Sequence, residues 1–102
     1  MDFQVPDGEF VIYGTLTAAP NQESQVADMI RQISTQVKAH KGTLYYCITQ
    51  DPENPRQFHL FERYADKAGF VEHGELPLVK ELFFSSVVED IKPIFIEVGK
   101  EL

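Results

Sequence analysis

The chain has 102 residues, 43% of them apolar and 25% charged, with a formal net charge of −7. This length allows one domain and not two, and the apolar share suffices for a core, so disorder is not expected. The acidic balance disfavours nucleic acid, whose phosphates need a basic stripe, and a single cysteine, Cys47, excludes an internal disulfide and a cysteine metal cluster.

The opening residues MDFQVP lack the basic and apolar regions of a secretory signal. No apolar run reaches the ~20 residues of a membrane span. A cytoplasmic protein with no membrane partner is the expectation. Residues 1–8 read as a flexible polar lead, and the single domain is expected over 9–102.

FVIYGTLT, residues 10–17, is rich in β-branched and aromatic residues and predicts a first strand. Phe10, Ile12, Gly14 and Leu16 fall on one face, and Val11, Tyr13 and Thr15 on the other. Asn21 is placed to cap a helix whose first turn carries Glu23. Val26, Ile30, Ile33 and Val37 follow at helical steps and form its apolar stripe. His40 and Lys41 suit the negative end of that helix, and Gly42 suits a left-handed C-terminal cap.

TLYYCITQ (residues 43–50) and QFHLFERY (57–64) predict two strands joined by the proline-rich loop DPENPR. Phe58, Leu60, Glu62 and Tyr64 share one face of the second. Asp66 is expected to cap a short helix ending at His73. A longer helix is expected from about residue 76 to 89, with Leu78, Val79, Leu82, Phe83 and Val87 as its stripe. Pro93 should end it, leaving 94–98 as the last strand.

The order is β-α-β-β-α-β, an α+β domain of ferredoxin-like type. Two helices cover only one face of such a sheet. Val11, Tyr13, Phe61 and Phe95 are expected to put apolar bulk on the other, so a homodimer is expected.

Two stretches carry a family resemblance: His40-Lys41-Gly42-Thr43-Leu44-Tyr45-Tyr46 after the first helix, and Phe58 to Lys67 followed by His73 and the Leu76-Pro77 step. Together they resemble the antibiotic-biosynthesis-monooxygenase (ABM) domains over roughly residues 9–98. The resemblance implies two sheets packed into a dimeric α+β barrel, with a pocket between each sheet and its helices. It also implies cofactor-free oxidation of electron-rich phenols or quinols with O₂ in many members, and haem binding in some. No cofactor and no metal site are expected here. In the haem branch a strand asparagine, a helix tryptophan and a ligating histidine would fall on Gly14, His73 and Phe83, so haem degradation is disfavoured. The polar set of the polyketide-oxidising branch would fall on the apolar Leu60, Phe70 and Phe83.

A cofactor-free oxygenase must bind a phenol, take its proton and hold the anion beside O₂ in a dry pocket. His73 matches the family's helix histidine and is the expected acid/base, since an imidazole titrates near neutrality. Tyr64 is expected to orient the substrate. Leu60, Glu62, Phe70 and Phe83 are expected to line the pocket, although Glu62 is more simply read as structural. Tyr45 and Tyr46 point to opposite faces; alternation does not say which one enters the pocket, and Tyr46 is carried in the lining set. His59 and Arg63 alternate to the interface side, His40 is accounted for by the helix dipole, and Cys47 by burial as a small hydrophobe. The reaction expected is oxidation of a quinol or polyphenol; the alternative is a non-oxidative isomerase or ligand-binding protein.

Overall fold

A computed structural model describes residues 3–100 and 102, so Met1 and Asp2 of the predicted lead lie outside the described residues. Residues 3–8 form no regular element. Even so, the Phe3 ring lies 5.6 Å from that of Phe95, and the Asp7 carbonyl accepts from the Lys67 amide.

The elements are β1 (Phe10–Ala18), α1 (Glu23–Gln36), β2 (Thr43–Gln50), β3 (Gln57–Tyr64), α2 (Lys67–Gly74), α3 (Pro77–Phe84) and β4 (Val88–Glu97). The four strands form one antiparallel sheet in the order β2-β3-β1-β4, the ferredoxin-like arrangement, with the helices on one face. None of the described helices is long and apolar enough to cross a membrane.

The stripe of α1 packs as its spacing requires: Val26, Ile30, Ile33 and Val37 are buried with Met29 against Leu16, Ala18, Phe58 and Leu60 of the sheet and Val79 and Leu82 of α3. Phe10, Ile12 and Tyr64 form a second cluster, packed by Val5, Phe70 and Phe95.

Five local expectations need correction. Asn21 does not cap α1; it adopts a positive φ of 65° in the preceding turn, and Gln22 holds the cap position. Gly42 is not left-handed. The chain leaves α1 through a 3₁₀ turn, Val37–Ala39, and Gly42 instead presses against Gly69 of α2, where a Cβ on Gly42 would stand 2.6 Å from the Gly69 Cα. The last helix stops at Phe84 rather than near residue 89, because Ser86 turns the chain with a φ of 67°.

β4 accordingly begins at Val88, well before Pro93. The proline is tolerated inside the strand because β4 is an edge, where a missing N–H costs no ladder bond on the outer side. It stands opposite Gly14, whose φ of +147° and 2.0 Å approach of a notional Cβ to the Lys92 carbonyl admit only glycine. This register puts Phe95 opposite Ile12 on the helix side, so Ile94 and Ile96, not Phe95, complete the outer face.

Cys47 is the fifth. It stands opposite Phe61 on the outer face and is only partly buried.

Candidate functional site

The helices do not fill the space above the sheet. A cavity of about 290 Å³ remains between the sheet, α2 and α3. Its walls are Ile12, Leu16, Leu60, Phe70, Phe83 and their neighbours, with polar groups from Tyr46, Glu62, His73 and Lys80. Six of the seven expected site residues therefore meet here: Leu60, Glu62, Phe70, Phe83, Tyr46 and His73. Strand alternation places the first two, and Tyr46 stands opposite Glu62 across the β2–β3 ladder. Tyr45 points to the other face.

Tyr64 is the exception. Expected to touch the ligand, it is fully buried below the cavity floor. Its hydroxyl donates to Glu62 Oε1 at 2.5 Å, and its ring packs edge-on against Phe70 with 5.2 Å between centroids. Tyr64 thus meets the cavity only through residues it supports, Glu62, Phe70 and His73.

Glu62 is the carboxylate that interrupts an otherwise apolar strand face, Phe58-Leu60-Glu62-Tyr64. From sequence that interruption fits a structural carboxylate or a polar handle, the structural reading being the simpler. Burial pushes its carboxyl up to about 7, with the Tyr64 hydrogen bond offsetting part of the rise. The same burial, together with the Glu62 charge, raises the hydroxyls of Tyr64 and Tyr46 well above the usual phenol range.

His73 sits one residue before the end of α2, which starts from the Asp66 cap; the Asp66 carboxylate accepts from the Gly69 amide at 2.9 Å. Its ring lies 5.1 Å from that of Tyr46 and 5.7 Å from that of Tyr64. Burial, with nearby His40 adding to it, lowers its pKa to about 4, so the imidazole is neutral at pH 7. His40 is thus more than a partner of the helix dipole. It faces Glu72 and His73, with Nδ1 3.8 Å from Glu72 Oε1.

Lys80, Phe84 and Phe3 at the rim were not found from sequence. Lys80 is bonded to Glu75 at 3.0 Å, and Phe84 is 81% exposed beside the opening. Nothing in their local pattern marks them, since the rim exists only once α3 and the lead meet. On the outer face, His59 bonds Asp51 at 2.8 Å, holding the Asp51 carboxyl below its usual range, and Arg63 bonds Glu9.

This fold agrees with comparison to known proteins. The profile of the antibiotic biosynthesis monooxygenase family matches residues 9–83. The chain belongs to that family. No curated protein matches the sequence. Among solved structures, a Deinococcus radiodurans protein assigned to the antibiotic biosynthesis monooxygenases is 22% identical, with 91% of this chain and 95% of that chain covered at a TM-score of 0.74. A Pseudomonas aeruginosa protein is 19% identical over 97% of this chain and 100% of its own, at a TM-score of 0.77. A Caulobacter crescentus protein, also assigned to the ABM group, is 16% identical over 94% of each chain, at a TM-score of 0.76. At these identities the likeness to the three concerns the fold.

Proposed function

We propose that this ABM protein is a cofactor-independent monooxygenase that oxidises a quinol or polyphenol-type aromatic with O₂, acting as a homodimer. One observation carries the reading: the carboxyl of Glu62 stands in an apolar, aromatic-walled cavity and titrates at about 7. A general base works best when its pKa lies near the working pH. His73, at about 4, is too weak a base for that step and serves instead as a neutral hydrogen-bonding group for the substrate oxygen.

In this mechanism the substrate hydroxyl gives its proton to Glu62, and the resulting anion lies against Leu60, Phe70 and Phe83. The anion passes one electron to O₂, and the two radicals join in a C–O bond. The new peroxide takes the proton back from Glu62. It then loses water as the C–H bond at the same carbon breaks, leaving a carbonyl. All four electrons come from the substrate. Dry walls favour each step by excluding water from the reactive anion.

The homodimer draws support from the outer sheet face, where Tyr13, Tyr45, Phe61, Ile94 and Ile96 are all roughly half exposed. Apolar patches of this kind mark protein interfaces.

A near-neutral carboxyl equally suits a second reading, an isomerase that moves a proton between two carbons without O₂. Oxygen uptake by purified, metal-free protein against a panel of hydroquinones and anthrones separates the two. Uptake is expected in the wild type, with a loss of about 100-fold or more in Glu62→Gln and about 100-fold in His73→Ala. No uptake with any compound moves the assignment to the isomerase. Full activity in Glu62→Gln removes that residue from the mechanism.

A further inference from the structure

Behind the cavity, three polar side-chain atoms lack a hydrogen-bond partner among the described residues. His73 Nδ1, His40 Nδ1 and Thr43 Oγ1 are each sealed from solvent. The fold brings them to one junction. The Thr43 amide donates to the His40 carbonyl at 3.3 Å, closing the turn into β2. Thr43 stands opposite Tyr64 in the β2–β3 ladder, and the Tyr64 ring lies 5.7 Å from that of His73. His40 Nδ1 is 3.8 Å from Glu72 Oε1, and Glu72 precedes His73 on α2. Buried polar groups are almost always hydrogen-bonded, and a polar chamber offering two to four partners is what holds an internal water. Among the described residues no three His, Cys, Asp or Glu side chains are placed to hold a metal ion, so water is the occupant that fits.

We propose that a water site lies between His40, Thr43 and His73 and links the cavity to the Glu72 carboxylate at the surface. The His73 ring lines the cavity with Nδ1 turned away, so Nε2 is the nitrogen that a ligand meets. A neutral imidazole accepts a proton on one nitrogen while releasing one from the other. A proton delivered to Nε2 therefore leaves as the Nδ1 proton moves to the water, then to His40 and Glu72, with no net charge left on the ring. The Tyr46 and Tyr64 rings face His73 from the sheet, Glu62 lines the same cavity, His40 approaches from the turn before β2, and Glu72 precedes His73 on α2. The water site stands independently of the reaction. Its use in turnover rests on Glu62 as proton acceptor, because that carboxyl must shed any proton it already carries before it can accept one from a phenol.

The test is NMR on the full chain with ¹⁵N-labelled histidine, for the wild type, Thr43→Val and His40→Phe. A water cross-peak to the His40 and His73 rings is expected in the wild type. Exchange of the His73 ring N–H with solvent should slow at least tenfold in both variants. The thermal midpoint gives a second readout: removing a hydroxyl that holds a water lowers it, whereas removing a hydroxyl with no partner raises it. Absence of the cross-peak with unchanged exchange, or a Thr43→Val protein more stable than wild type, overturns the site. Neither readout uses turnover, so failure of the oxygen assay would overturn the catalytic reading alone.

Discussion

Glu62 and His73 line the same cavity, and burial moves their titrations in opposite directions because it disfavours the charged form of each. The Glu62 carboxyl, ordinarily near 4.5, keeps its proton up to about 7 in the folded chain. Between those values the unfolded chain has already released the proton, so stability falls as pH rises, by on the order of 3 kcal/mol. His73, ordinarily near 6.5, stays neutral in the folded chain down to about 4. There the unfolded chain takes up the proton first, so stability is lost as pH falls. The two slopes oppose each other over most of this range. Thermal midpoints measured against pH should therefore rise with pH in Glu62→Gln, fall with pH in His73→Gln, and be flatter in the wild type. Above the Glu62 titration, Glu62→Gln should also be the more stable protein, since the amide still accepts the Tyr64 hydrogen bond and buries no charge. A less stable Glu62→Gln at that pH would contradict the raised pKa.

Two elements meet where backbone touches backbone. The entry to β2 and the first turn of α2 approach at Gly42 and Gly69, where a side chain on either would strike the other's backbone. Gly42→Ala should cost about 1–3 kcal/mol, the scale of an overpacked contact. It should also tilt α2 away from the sheet, taking Phe70 and His73 with it, and denaturant unfolding would measure the loss. An unchanged midpoint would mean that α2 is not held there. In sequence Gly42 looked like a helix cap because it follows a helical stripe. Its actual role involves Gly69, 27 positions along the chain, and no local pattern reports that. The α1 stripe and the β2–β3 hairpin were legible because each is periodic over its own length. The start of β4 was hidden because Pro93 stops helices and central strands alike; only the edge position of β4 makes it acceptable.

At the scale of the molecule, one face of the sheet carries all three helices and the other carries none. An open groove of about 610 Å³ runs along that bare face between Val11, Tyr13, Leu44, Tyr45, Phe61 and Arg63. Leaving so many large apolar side chains in water is unfavourable, and a second copy of the same face would cover them. Sedimentation should therefore give a mass near twice 11.7 kDa, and Phe61→Asp should reduce it to that of one chain. A wild-type protein that sediments as a folded single chain would defeat the homodimer.

The sequence by itself determined the element types, their order and the helix-facing side of β1 and β3. All of these follow from periods of two and 3.6 residues that the backbone imposes locally. Tertiary structure decided what those side chains can do. Tyr64 is sealed under Glu62, His40 is carried to His73, and one carboxyl and one imidazole are shifted in opposite directions. Each of these outcomes depends on burial and on partners from distant parts of the chain, and neither is encoded in local spacing.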